Sequence, residues 1–277
     1  TALGKNAIDR ITLDGKITEF LLPDQTKSPE SITRGPDHAM WFTESYTNTI
    51  GRITTAGVIT EFPVGRWGAS RIIAGPDGAL WFTGHGDTTG SGEWGIGYIG
   101  RITTSGAVTI FPVGKDPREI IVGPDGKLWV VDQILGIFRV STSGVVEDLA
   151  VDTGIINPLF TGLTRGPDDA MWFSVASSQH SEFLGRIDTS GTTTYKSLYP
   201  EANTGGNISE LTTGPDGNIW LAWWNLSEIQ RMTPDDERTS YKIDRPIGIT
   251  RGPDGNIWFT TQGGPVGKLN VALANAG

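Results

Sequence analysis

One nonapeptide, repeated six times, confines the folds open to this chain. GPDGALWFT starts at Gly75, and close copies start at Gly35, Gly123, Gly166, Gly214 and Gly252. The starts fall 38 to 48 residues apart, the period of a four-stranded propeller blade. Helical repeats of similar length do not fit. The units carry a Pro-Asp-Gly turn, β-branched runs and a second turn such as TTAG or TTSG, with no apolar stripe of period 3.6.

Within one unit the pattern predicts strand A at Glu30 to Arg34, strand B at Ala39 to Glu44, strand C at Ile50 to Thr54 and strand D at Val58 to Phe62. In GPDG, Pro sits where φ near −65° is wanted and Asp can bond its own backbone. The last position is free to take φ > 0. His38 and Asp169 replace that last Gly in two copies, and both residue types tolerate a left-handed backbone. ALWFT is apolar at consecutive positions, as expected of a strand covered on both faces. Trp41, Trp81, Trp129, Trp172, Trp220 and Trp258 are accordingly blade-packing residues, and the six turn aspartates are turn formers.

TALGKNAIDRITLDGKITEF aligns without a gap on TESYTNTIGRITTAGVITEF, so Thr1 matches Thr43 and the chain opens inside a blade. The expectation is one all-β domain over residues 1–277, a propeller of four-stranded antiparallel blades. The in-phase start favours a seven-bladed plan. The six A–B hairpins make six blades the alternative, with Ile17 to Phe20 or a neighbouring strand completing the last one.

With 22 Lys and Arg against 31 Asp and Glu, the net charge of −9 opposes nucleic-acid and anionic-membrane partners. The absence of Cys excludes thiolate catalysis, thiolate metal sites and disulfides. No apolar run is long enough to span a bilayer, and no signal peptide opens the chain. The Gly, Ser and Thr content and scarce Lys suit a secreted bacterial protein, expected to be a monomer with a small-molecule ligand.

At GPDGALWFT…IGRITTSG the sequence resembles the streptogramin lyases, the virginiamycin B lyase family, over essentially its whole length. The resemblance implies a seven-bladed propeller that, with Mg²⁺, opens a cyclic depsipeptide: a base takes an α-proton and the ester oxygen leaves. It also implies catalytic residues that this chain does not match. The family's Glu-Pro-His-Gly-Ile falls on Arg245-Pro246-Ile247-Gly248-Ile249, its other histidine on Ser209, and its glutamate on Thr261 or Gln262. An orthodox streptogramin lyase site is therefore not expected, and Mg²⁺ rests on the resemblance alone.

Candidate site residues come from the end of the blades opposite the GPDG turns, where connections are irregular. From Trp to the isoleucine of IGR takes 9 residues in the first unit and 18 in the second. The long stretch GHGDTTGSGEWGIGY carries His85, Asp87, Glu93, Trp94 and Tyr98, and a second extended stretch carries His180. Five residues before each nonapeptide stand Glu30, Ser70, Arg118, Thr161, Ser209 and Ile247. Three or four after its Trp stand Glu44, His85, Asp132, Val175, Trp223 and Gln262. Trp67, Trp223 and Trp224 have no place in the blade template.

Three functions suit these residues. In the first, a small cyclic or saccharide ligand binds at the channel mouth through Arg118, Asp132, Trp223, Trp224 and Gln262. In the second, a lyase or hydrolase site has moved to the first blades, with His85 as base, Glu30, Glu44 or Asp132 as acid or metal ligand, and Arg118 as anion holder. The third is a protein-interaction scaffold.

Overall fold

The computed structural model describes residues 6–24, 28–44, 47–65, 68–85, 95–177, 182–199, 208–264 and 266–274. The chain divides into two compact units, Thr1–Val122 with Gly126–Asp148, and Gly123–Asp125 with Leu149–Gly277. The repeat array runs through both.

The first unit holds four antiparallel sheets. A two-stranded sheet pairs β1 (Ala7–Ile11) with β2 (Ile17–Leu21). Next come β3 (Pro29–Arg34), β4 (Met40–Glu44), β5 (Thr49–Ile53) and β6 (Ile59–Pro63). A third sheet orders β7 (Gly68–Ala74), β8 (Leu80–His85), β9 (Gly97–Ile102) and β10 (Val108–Pro112). The fourth orders β11 (Pro117–Val122), β12 (Leu128–Asp132), β13 (Gly136–Val140) and β14 (Val146–Asp148).

In the second unit, β15 (Leu159–Arg165), β16 (Met171–Ala176), β17 (Glu182–Ile187) and β18 (Thr193–Tyr199) form one sheet. Another contains β19 (Ile208–Thr213), β20 (Ile219–Trp223), β21 (Glu228–Met232) and β22 (Arg238–Lys242). The last has three strands, β23 (Pro246–Arg251), β24 (Ile257–Thr261) and β25 (Val266–Leu269), followed by the short helix α1 (Val271–Ala274).

Six sheets carry an A–B hairpin, as the repeat count requires, and the chain opens on a C–D hairpin. Among the described residues β2 pairs with β1. Predicted and observed strands of the first full unit agree to within a residue at most ends. The final GPDG position is left-handed in both replacements, at φ 65° for His38 and 54° for Asp169.

The nonapeptide aspartate does more than form a turn. Asp37 Oδ1 accepts from Trp41 Nε1 at 2.9 Å, and its Oδ2 accepts from Arg52 Nε at 2.6 Å. Asp77 with Trp81 and Arg101 repeats this, as do Asp168 with Trp172 and Arg186, and Asp216 with Trp220 and Arg231. Asp254 holds Trp258 and Lys268. The Arg of IGR and the Asp of GPD thus clamp the indole between strands B and C.

A second rule pairs the residue after Trp with the Gly of IGR. A Cβ on Gly51, Gly100, Gly185 or Gly267 would lie 2.0 to 2.2 Å from the ring of Phe42, Phe82, Phe173 or Phe259, its cross-strand partner. Where that Phe is Val130 or Leu221, the facing residue is Phe138 or Gln230. Volume is conserved across the strand pair.

Candidate active site

Every A strand carries a register shift, between Pro29 and Ile32, Ala69 and Ile72, Pro117 and Glu119, Phe160 and Gly162, Ile208 and Glu210, and Pro246 and Gly248. These bulges fall on Glu30, Ser70, Arg118, Thr161, Ser209 and Ile247. A bulge leaves an extra residue unpaired and re-aims its side chain, which makes these positions a natural place for chemistry. The Thr after Trp-Phe steadies the bulge: Thr43 Oγ1 accepts from Ser31 N at 3.1 Å and donates to Ser70 O of the next sheet at 2.6 Å. Thr83 and Thr260 accept from Arg71 N and Gly248 N in the same way.

In the first unit the bulged Arg118 meets His85, the last residue of β8, through Asp116. Asp116 Oδ1 lies 3.2 Å from His85 Nδ1, and its Oδ2 accepts from Arg118 Nη2 at 2.9 Å. The Asp116 side chain is 1% exposed, whereas those of His85 and Arg118 are 39% and 44% exposed. Asp116 Oδ1 is buried and accepts no hydrogen bond among the described residues, so a proton on the nearby Nδ1 is what would satisfy it, the tautomer that leaves Nε2 as the basic nitrogen. Burial lowers the His85 pKa. Asp116 raises it, Arg118 lowers it, and Glu30 and Asp132 raise it, for a net displacement below the ordinary 6.5. That displacement favours the neutral imidazole.

Glu30 accepts from Ser70 Oγ at 3.0 Å, and Glu119, beside Arg118, pairs with Arg71 at 3.2 Å. Glu44 and Asp132 are fully buried. Asp132 accepts four backbone N–H groups, from Lys115 and Asp116 on Oδ2 and from Ile134 and Leu135 on Oδ1. That set consumes its acceptor capacity, so it organises the connection carrying Asp116 rather than reaching for a ligand. Glu44 accepts from Thr47 Oγ1 at 3.1 Å. Tyr98 is a strand residue of β9 whose hydroxyl donates to Gly68 O. Trp67, Asp87, Glu93, Trp94 and His180 lie outside the described residues.

In the second unit Trp223 is fully buried against Trp172, Leu198 and Ile208, so its ring offers no face for stacking. Trp224 is 37% exposed. Its Nε1 donates to Gln262 Oε1 at 3.1 Å, and the Arg245 guanidinium lies over its ring at 5.9 Å. Trp224, Gln262 and Arg245 thus form a second cluster.

A match to the virginiamycin B lyase family covers residues 1–153 and 91–274. The chain belongs to that family. A virginiamycin B lyase from Staphylococcus aureus, solved with quinupristin as a catalytically inactive histidine-to-alanine variant, is 32% identical. It aligns over 96% of this chain and 88% of its own with a TM-score of 0.80. A streptogramin B lyase structure is 28% identical over 98% and 88%, with a TM-score of 0.81. At 17% identity and a TM-score of 0.58, a gluconolactonase-like protein shares the fold alone. These likenesses make the all-β, four-stranded sheets those of a β-propeller.

Ile247 is exposed, and the single hydroxyl proton of Ser209 is shared between the carbonyls of Ala222 and Pro246, so neither residue offers a base. Sequence reasoning missed Asp116. Its signal was an internal alignment: Ser28-Pro29-Glu30, Asp116-Pro117-Arg118 and Arg245-Pro246-Ile247 all open an A strand, and only the third blade puts an acid before the Pro. Among the described residues no three His, Asp or Glu side chains converge as a metal site. With Asp132 consumed by backbone donors and Asp116 already carrying the Arg118 guanidinium, this donor set does not fit Mg²⁺.

Proposed function

We propose that this virginiamycin B lyase family member is a general-base enzyme acting on a cyclic ester-bearing substrate, with its proton-transfer site at His85. The observation that carries the reading is the buried Asp116 carboxylate placed 3.2 Å from His85 Nδ1 and bonded to Arg118. Asp116 orients the ring, and Nε2 of the neutral imidazole takes a proton from the carbon α to a carbonyl. The C–H electrons form the carbon–carbon double bond as the β-carbon–oxygen bond of the ester breaks. Arg118, with N–H groups beyond the one given to Asp116, suits the departing carboxylate.

The catalytically inactive variant of the Staphylococcus aureus relative was solved with quinupristin, which makes streptogramin B depsipeptides the first substrates to test. Chromatography should show ring opening by the wild type and a loss of about 10²–10⁴-fold in His85→Gln, the span expected for a positioned base. Undiminished turnover in His85→Gln would overturn the assignment.

A second reading rests on the half-exposed Trp224 held by Gln262 and Arg245. It makes the second unit a platform for stacking a sugar or the apolar face of a macrocycle. Weakened binding of the same depsipeptides to Trp224→Ala, with turnover at saturation retained, supports it. Unchanged affinity removes it.

A further inference from the structure

In three blades an aromatic side chain of strand D stacks on the nonapeptide Trp: Phe62 on Trp41 at 5.2 Å, Phe111 on Trp81 at 5.5 Å and Tyr241 on Trp220 at 5.7 Å. Each faces the residue before the Gly of IGR, or its equivalent: Phe62 opposite Ile50, Phe111 opposite Ile99, Tyr241 opposite Ile229. In the fourth blade that residue is Leu184, and Lys196 stands opposite it.

The partner position changes with it. Gly57 and Gly106, left-handed at the C–D turns, lie so close to Phe20 and Phe62 of the preceding sheet that a Cβ would meet the ring at 2.5 to 2.6 Å. At the same turn position in the fifth blade stands Asp236, also left-handed at φ 69°. Lys196 Nζ donates to Asp236 Oδ1 at 2.8 Å. An aromatic–glycine contact has become an ion pair spanning the sheets of β15–β18 and β19–β22.

Beneath that pair lies a cavity of about 400 Å³ between the two sheets, lined by Trp172, Leu184, Ile219 and Met232 with Pro167 and Pro234 at its edge. Trp172 is 7% exposed, whereas Trp41, Trp81, Trp129 and Trp220 are not exposed at all. A solvent-open pocket with an indole and aliphatic side chains inside and the Asp168, Arg186 and Lys196 side chains among its lining, with volume in the range of small-molecule sites, is suited to an apolar guest.

We propose that this cavity binds a planar, uncharged aromatic ring, which occupies the place on Trp172 that Phe or Tyr takes in the first, second and fifth blades. The absence of charge follows from the rim. Lys196 is already neutralised by Asp236 and Arg186 by Asp168, so a ligand carboxylate would have to displace a protein carboxylate. The site lies at the GPDG and C–D turns of its own blades, the end opposite the strand termini that hold the second unit's Trp224, and it does not depend on the general-base reading.

The test is binding of 4-iodophenol to the intact protein, followed by ligand-observed NMR and by anomalous diffraction from soaked crystals. The expected result is saturable binding with the iodine located between Leu184, Ile219 and Met232 and the ring on Trp172. Lys196→Phe combined with Asp236→Gly reproduces the aromatic–glycine arrangement of the first two full blades and should weaken binding at least tenfold. No anomalous peak in the cavity at saturation overturns the proposal, whether or not the double variant folds. So does undiminished binding in a folded double variant.

Discussion

Asp116 and His85 meet across two neighbouring sheets of the first unit, carboxylate oxygen to Nδ1 at 3.2 Å. Burial lowers the His85 pKa most and Asp116 counteracts that effect, so Asp116→Asn should drive the pKa further down. Arg118→Gln removes a lowering influence and should move it up. NMR titration of the imidazole protons measures both shifts. If His85 is the base, the acid limb of the pH–rate profile shifts the same way, because activity appears as pH rises through the His85 pKa.

The clamp formed by the GPD aspartate predicts acid sensitivity. Burial pushes the Asp37, Asp77 and Asp168 carboxyls up, and hydrogen bonds from Trp and Arg more than offset it. At Asp216 the offset comes from Arg231, Asn218 and Trp220. Each folded pKa lies below the ordinary 3.8, so the stabilisation is present above that pH and is lost as pH falls through the folded value. Asp216 and Arg231 are the most buried of these pairs. Asp216→Ala should cost about 3 kcal/mol in urea unfolding at pH 7 by stranding the guanidinium, whereas Asp169→Ala, at an exposed turn, should cost well under that.

The repeat made the strands legible because turn chemistry and consecutive apolar residues recur in phase. It also located the bulged positions, although the bulge itself, one extra residue in a strand, leaves no mark in spacing. Asp116 escaped notice because it lies in a D–A connection outside the nonapeptide. Glu44 and Asp132 stand at strand ends, where a carboxylate reads as exposed. In the fold Asp132 instead turns onto backbone N–H groups of its own connections. Trp223 read as surplus to the blade template, yet it fills the space beside Trp172 and Leu198.

Glu182 predicts the opposite pH dependence. It opens β17 opposite Ala176, whereas Glu228, which opens β21 opposite Trp223, accepts from Gln230 and Lys242. Among the described residues Glu182 Oε2 accepts no hydrogen bond, and burial pushes the carboxyl up to about 8. Its neutral form belongs to the fold, so stability falls as pH rises from about 4.5 toward 8. Glu182→Gln should flatten that fall and stabilise the protein at pH 9 by on the order of 2 kcal/mol, with little effect at pH 5. Urea midpoints at the two pH values measure the difference.

The volume rule between Phe42 and Gly51 makes the last prediction. A Cβ on Gly51 would sit 2.1 Å from the Phe42 ring, closer than packing allows, so Gly51→Ala should overpack the sheet and cost roughly 1–3 kcal/mol. Phe42→Val alone opens a cavity and should cost a similar amount. Together they approach the pair that the fourth sheet already uses, Val130 opposite Phe138. The double variant Phe42→Val with Gly51→Phe should therefore be more stable than the sum of the single changes allows, by at least 1 kcal/mol of coupling in a double-mutant cycle. Gly126→Ala serves as the reference: its Cβ meets nothing within 4 Å, and only its φ of 72° opposes the change. Its cost should be near 1 kcal/mol, with no dependence on the residue at position 130. Additive losses at positions 42 and 51 would mean that each sheet relaxes around its own glycine, and that the matched pairs do not arise from cross-strand packing.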